Sequence, residues 1–358
     1  MKKSLLLLAT LGTLTACQTQ PATDAALQTM ANDHLDFMRQ QADLLANEFT
    51  QLQQASADYC QQTDVQTGQQ ATPSLSIVTQ QWRSSFAAWS AHQGQSGGPL
   101  DAEGLSFAFQ FWPDKKDTVG KQVRRELAAV AKGDAVPDRG VVTTLSAVEY
   151  LLESELSAHQ RCLLLPGITA QLASNGKQLQ GAWYNADGYQ QQLAQMQQQG
   201  GATVLLTQVL GQLSHRYDLI EKKFELPLNT VQHPRPLFAE AWRSEQSLHF
   251  LRTSLMSLEQ EYRQGGMRDY LLQNRELQNS TPQTSNQHQA TVEALDEAFA
   301  DALAHLPAGD SLSYWLQGDN YAKLLRFKLS FDQLGYQLQQ RLPGELGLSL
   351  GFNATDGD

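Results

Sequence analysis

Cysteine is scarce, three in 358 residues, and none sits in a C-x-x-C pair. No H-E-x-x-H string occurs either, so the usual structural and catalytic zinc arrangements are missing. Basic residues are outnumbered, 26 Lys and Arg against 37 Asp and Glu, a balance that argues against a nucleic-acid partner. Runs of β-branched residues are few, which argues against a sheet. Only one long apolar run exists, Leu5 to Leu14, and it is too short to span a membrane.

That run carries the strongest local signal. Lys2 and Lys3 precede it and L-T-A-C follows at residues 14–17, the pattern of a lipoprotein signal peptide (residues 1–16) cleaved ahead of a lipidated Cys17. The expectation is a periplasmic lipoprotein held to a membrane by its acyl chains. Gln18 in place of Asp favours the outer membrane, and residues 17–24 form the tether. Loss of Lys2 and Lys3 moves the formal charge from −11 to −13. Cys60 and Cys162 are then the remaining thiols, in an oxidising compartment. They are expected to pair, closing a loop of about 100 residues worth roughly 4–5 kcal/mol in the chain-entropy model; the alternative is two separate buried thiols.

What the chain has in plenty is Ala, Leu, Gln, Glu and Arg, with apolar residues recurring at three and four, as in Leu35, Met38, Leu44, Leu45, Phe49 and Leu52. An all-α fold follows. The length exceeds what one core usually serves, and Trp82-Arg83-Ser84 with Phe86 is echoed by Trp242-Arg243-Ser244 with Phe250. The expectation is two related helical bundles packed side by side, residues 25–200 and 201–350, divided near Gly200-Gly201, with a tail at 351–358. Gln273 to Gln289 reads as an exposed loop, and Gln190 to Gln199 as a solvated helix face.

Thr143 to Glu153 reads T-T-L-S-A-V-E-Y-L-L-E, a helical segment with Ser146, Glu149, Tyr150 and Glu153 on one side and Leu145, Val148 and Leu152 on the other. Two carboxylates a turn apart on an otherwise apolar helix can bind a cation, share a proton or face water. This segment resembles the G-x-H-x-x-E helix of the imelysin-like proteins, bacterial periplasmic and surface lipoproteins associated with iron uptake and labelled as peptidases. Phe109 to Lys116 (F-Q-F-W-P-D-K-K), His215 to Asp218, Glu225 to Pro227 and Leu350 to Asp358 (L-G-F-N-A-T-D-G-D) extend the resemblance over nearly all of the mature chain. Thr144 stands where the family has Gly and Ser146 where it has His, while Glu149 is kept. The resemblance implies two helical-bundle halves with a site between them, and a link to iron.

A neutral imidazole is a strong ligand for Fe, Zn or Cu, and a Ser hydroxyl is a weak one. Glu149 with hydroxyl neighbours suits a hard cation better, so Glu149 is the candidate metal residue, for iron or another divalent cation. The ligand-binding candidates are Glu149, Ser146, Thr144 and Glu153, then Trp112, Asp114, Lys115, Lys116, Arg83 and Arg243 lining a cleft between the halves. Bundle packing by the aromatic residues and a solvated Arg is the alternative for that second group. No catalytic residue is assigned, since Ser146 in mid-helix lacks a nucleophile's strained turn. Glu245 and His249 are four apart on an expected helix, a spacing that can chelate a metal, and read in preference as an i,i+4 surface ion pair. The functional expectation is a non-enzymatic binding or accessory protein for a metal or metal complex in iron acquisition, with an iron-uptake protein as partner. The alternatives are a metal-dependent peptidase and a structural adaptor with a vestigial site.

Overall fold

The computed structural model describes residues 21–64, 74–277 and 282–348. The expected signal peptide, Cys17 and the 351–358 tail lie outside the described residues. Helix α1, Pro21–Asp64, starts inside the segment expected as a tether. It is followed by α2 (Leu75–His92), α3 (Thr118–Val130), α4 (Leu145–Glu153), α5 (Leu165–Tyr184), α6 (Gln191–Leu228), α7 (Ser247–Gln264), α8 (Met267–Leu277), α9 (Pro282–His305) and α10 (Tyr321–Gly335), with shorter turns between. The fold is all-α. Among the described residues the β structure is one isolated bridge, Thr230 with His233.

The three-and-four spacing in α1 buries Leu27, Met30, Met38, Leu45, Phe49 and Leu52 along one face. Leu44, read as part of that stripe, is 45% exposed. The buried face packs mainly against α5 and α2. The disulfide Cys60–Cys162, with Cα atoms 5.5 Å apart, ties the end of α1 to the short helix Ala158–Cys162.

Cross-packing joins the N-terminal and C-terminal helices into one core. α1 also lies on α8, and α2 lies on α7, where Phe86 stacks on Phe250 with ring centroids 4.2 Å apart. The α7–α8 turn approaches α1 so closely that a Cβ on Gly266, held at φ +82, would stand 2.8 Å from Met30 Cα. Gly201 falls within α6, where its φ of +63 and ψ of −155 interrupt the helical path.

Two local readings change. Most of Gln273 to Gln289 belongs to α8 and α9, with Pro282 as the first residue of α9, where its missing N–H costs nothing. The echoed W-R-S strings are not equivalent in conformation. Trp82 is in mid-helix and fully buried, whereas Trp242 sits in an irregular turn bounded by Ala241 at φ +48 and Glu245 at φ +56. Glu245 is therefore outside α7 and does not form the helical pair with His249.

Candidate functional site at the signature helix

Helix α4 begins where Thr144 caps it, its hydroxyl accepting from Ala147 N and donating to Val141 O at 2.8 Å. The preceding chain fixes its position. Leu145 N donates to Phe109 O (2.8 Å), and the indole of Trp82 donates to Leu145 O (3.0 Å). At its other end, Arg161 donates to the carbonyls of Leu151 and Ser154, both at 2.8 Å, satisfying groups a helix terminus leaves open. Seven of its nine residues are buried, and Glu149 and Ser146 are among them.

Glu149 is 3% exposed. Its Oε1 accepts from both the backbone N and the hydroxyl of Ser244, each at 2.9 Å, across the gap between α4 and the turn before α7. Burial pushes its carboxyl up to about 7, and the Ser244 bonds and Arg243 only partly offset that push. Ser146 is spent locally, donating to Phe111 O (3.2 Å) and accepting from Phe111 N (3.4 Å). Beside them lies a cavity of about 20 Å³, lined among others by Trp112, Asp114, Ser146, Glu149 and Arg243. That is space for one water or a bare ion.

A charged rim surrounds this cavity. Arg243 donates to Asp117 Oδ1 (2.7 Å) and lies over the Trp242 ring at 4.5 Å and the Tyr150 ring at 5.5 Å. Arg124 bonds Tyr150 Oη (2.8 Å) and Asp117 (3.2 Å). Asp114 is occupied with the start of α3, its two oxygens accepting from Thr118 N (2.7 Å) and Val119 N (2.9 Å). Behind the cavity, Trp89 donates to Gln110 (2.8 Å), Gln110 donates to Glu240 (2.8 Å), and Glu240 pairs with buried Lys223 at 2.9 Å.

The predicted site residues divide accordingly. Glu149, Ser146, Trp112, Asp114 and Arg243 meet at one cavity. Thr144 is buried beneath it as a cap. Lys115 and Lys116 are exposed and do not line it, because they follow the Trp112–Pro113 turn outward toward α3. Arg83 and Glu153 are exposed, close enough to interact electrostatically. Ser244, Asp117, Gln110 and Glu240 escaped the sequence reading, although Ser244 lies in the echoed W-R-S string.

The donor set does not fit a tightly held transition metal. One carboxylate oxygen is engaged by Ser244, the Ser146 hydroxyl is engaged by Phe111, and among the described residues no group of three His, Cys, Asp or Glu is placed to hold an ion. Serine chemistry has no better setting. Gly94 to Gly98 spells G-x-S-x-G, but it follows helix α2 rather than a strand, and the nucleophile turn is absent.

The Imelysin family model matches residues 38–317. An imelysin-like protein from Psychrobacter arcticum superposes with a TM-score of 0.71 at 17% identity, covering 93% of this chain and 99% of that one. A putative iron-regulated protein A precursor from Parabacteroides distasonis superposes with a TM-score of 0.65 at 12% identity, covering 90% and 95%. No curated protein matches the chain.

Proposed function

The chain belongs to the imelysin family, and from that premise we propose that it is a non-enzymatic accessory protein of iron acquisition, exported and anchored at the outer membrane through Cys17. In this reading the signature helix joins the N-terminal and C-terminal parts instead of presenting a reactive metal. One observation carries it: the carboxyl of Glu149, buried and committed to Ser244 beside a cavity of only about 20 Å³. A peptide bond and an attacking water do not fit there. The iron link rests on the family and on the name of the Parabacteroides neighbour.

The test has two arms. Calorimetric titration of Fe(II), Zn(II) and Ca(II) into the wild type and Glu149→Gln should show no stoichiometric site that the substitution abolishes, and unfolded or peptide substrates should not be turned over. Deletion of the gene should impair growth under iron limitation, with complementation by Glu149→Gln as well as by the wild type. Metal-dependent turnover lost in Glu149→Gln would establish the peptidase reading instead. Normal growth of the deletion strain under iron limitation would remove the iron assignment.

A further inference from the structure

Across the whole chain acids outnumber bases by 37 to 26, but around the mouth of the Glu149 cavity the balance is inverted. Lys115, Lys116, Lys121, Arg124, Arg235 and Arg243 gather there, and all but Arg243 are exposed. Their contacts join them. Lys121 Nζ donates to Lys116 O at 2.7 Å, and Arg124 and Arg243 share Asp117 and the Tyr150 ring. Arg235 lies over the Phe238 ring at 5.4 Å, and Phe238 O accepts from the Trp112 indole at 3.0 Å. The opposing carboxylates are Asp114, Asp117 and Glu245. Asp114 is turned onto the α3 backbone, Asp117 is taken by the two arginines, and Glu245 lies close enough to Glu153 to repel it. Among the described residues no carboxylate pairs with Lys115, Lys116, Lys121 or Arg235.

Inside this ring of cations the surface is apolar. Trp112, Leu237 and Trp242 line the cavity mouth together, the two tryptophans half-buried and Leu237 58% exposed. These groups are held in place before any partner arrives. Trp112 is fixed by its bond to Phe238, and Trp242 lies under the Arg243 guanidinium in a turn bounded by two left-handed residues. Among the described residues four that are not glycine take a positive φ, and three of them, Asp117, Ala241 and Glu245, belong to this rim. Backbone strain of this kind collects where a surface is built for recognition rather than for stability. An aromatic and aliphatic centre beside an arginine, edged by charge, has the anatomy of a protein interface, and fixed side chains lower the ordering cost of binding.

Charge complementarity selects the occupant. Four cations without a carboxylate call for carboxylates from outside, and the Trp112–Leu237–Trp242 centre calls for an apolar side chain. The cavity of about 20 Å³ admits neither, so the occupant lies across the rim and not in it. A lipid surface is the weaker candidate. Phe109, whose carbonyl holds the start of α4, stacks on Phe49 at 5.4 Å, and Phe49 stands about 28 residues, or ~42 Å, along α1 from Pro21. The expected acyl anchor precedes Pro21, at the far end of that helix.

We propose that this rim docks a partner protein through an acidic segment, its carboxylates on Lys115, Lys116, Lys121 and Arg235 and an apolar side chain against Trp112, Leu237 and Trp242. The proposal rests on the non-enzymatic reading above, and its test uses no iron, so the two fail separately. The probe is a short fluorescein-labelled peptide of Asp, Glu and Leu, with a Lys and Leu peptide as control, titrated by fluorescence anisotropy into the full-length protein in neutral detergent. Saturable binding of the acidic peptide is expected, weakening as salt rises from about 0.05 to about 0.3 M. Lys115→Glu with Lys116→Glu should weaken it at least about tenfold, and Leu237→Ser should weaken it with the salt dependence kept. Lys177→Glu with Lys323→Glu, the same charge change at exposed positions outside the rim, should leave it unchanged. Equal loss in that control pair, equal binding of the basic peptide, or no binding at about 1 mM acidic peptide would overturn the docking surface. Displacement of the peptide by an equal concentration of glycerol phosphate would assign the rim to lipid headgroups instead. Self-association lost with Lys115→Glu and Lys116→Glu would assign it to a second copy, and cleavage of the bound peptide would assign it to a substrate.

Discussion

Replacing Glu149 with Gln should change how stability depends on pH, with a sign that distinguishes a buried carboxyl from a cation ligand. The folded protein holds the Glu149 proton up to about 7, while the unfolded chain releases it near 4.5. A carboxyl raised in this way contributes stability that is full below 4.5 and is lost as pH rises through about 7. The difference between 4.5 and about 7 corresponds to about 3 kcal/mol, at ~1.4 kcal/mol per pH unit. Gln keeps the shape and does not titrate. Urea denaturation at intervals from pH 4.5 to 8.5, without chelator, should therefore show the mutant gaining on the wild type by up to about 3 kcal/mol across that window. His34 and His92, whose charging by acid works in the opposite sense, are common to both proteins and cancel in the difference. A flat difference would refute the buried-carboxyl reasoning. A difference of opposite sign would mean that the ionised form is the favoured one, as it would be on a bound cation.

Two further stability predictions test buried links between helices, one ionic and one covalent. Glu261→Gln leaves Arg216 charged and buried at 1% exposure, so it should cost about 3–5 kcal/mol by urea denaturation, whereas the double substitution Arg216→Met with Glu261→Leu should cost much less. A double-variant cost equal to that of Glu261→Gln would show that the pair is not what the single change breaks. Reducing Cys60–Cys162, or replacing both with Ser, should lower stability by up to about 4–5 kcal/mol, as expected for a loop closed over 102 residues. An unchanged urea midpoint under reductant would show that α1 and the Ala158–Cys162 helix stay in contact in the unfolded chain without the bond.

Helix content and the position of the signature were legible because each is written in local spacing. The apolar stripe of α1 and the T-T-L-S-A-V-E run need only the 3.6-residue period. Ser244 was not legible, because its role depends on an irregular turn in which Ala241 and Glu245 take positive φ, a conformation the W-R-S string does not announce. Arg216 was hidden inside H-R-Y-D for a related reason. On a helix an Arg reads as solvated by default, and only the burial of its face against α2 and α7 turns it into an ion pair with Glu261. The same logic explains the failure at Lys115 and Lys116. Their neighbours Trp112 and Asp114 do reach the cavity, but Asp114 turns back to cap α3 and carries the two lysines away from it. Local pattern thus located the segment, whereas the partner of each polar side chain was set by contacts far apart in the chain. At Glu149 this distant pairing decides the chemistry of the site. Its partner Ser244 is 95 residues away and is neither a metal nor a substrate, so the buried carboxyl and the turn that carries Ser244 form one arrangement. With Ser146 turned onto Phe111, the carboxyl has no second ligand to share an ion with, and a short-range bond across the α4–α7 gap is the stabilisation left to it.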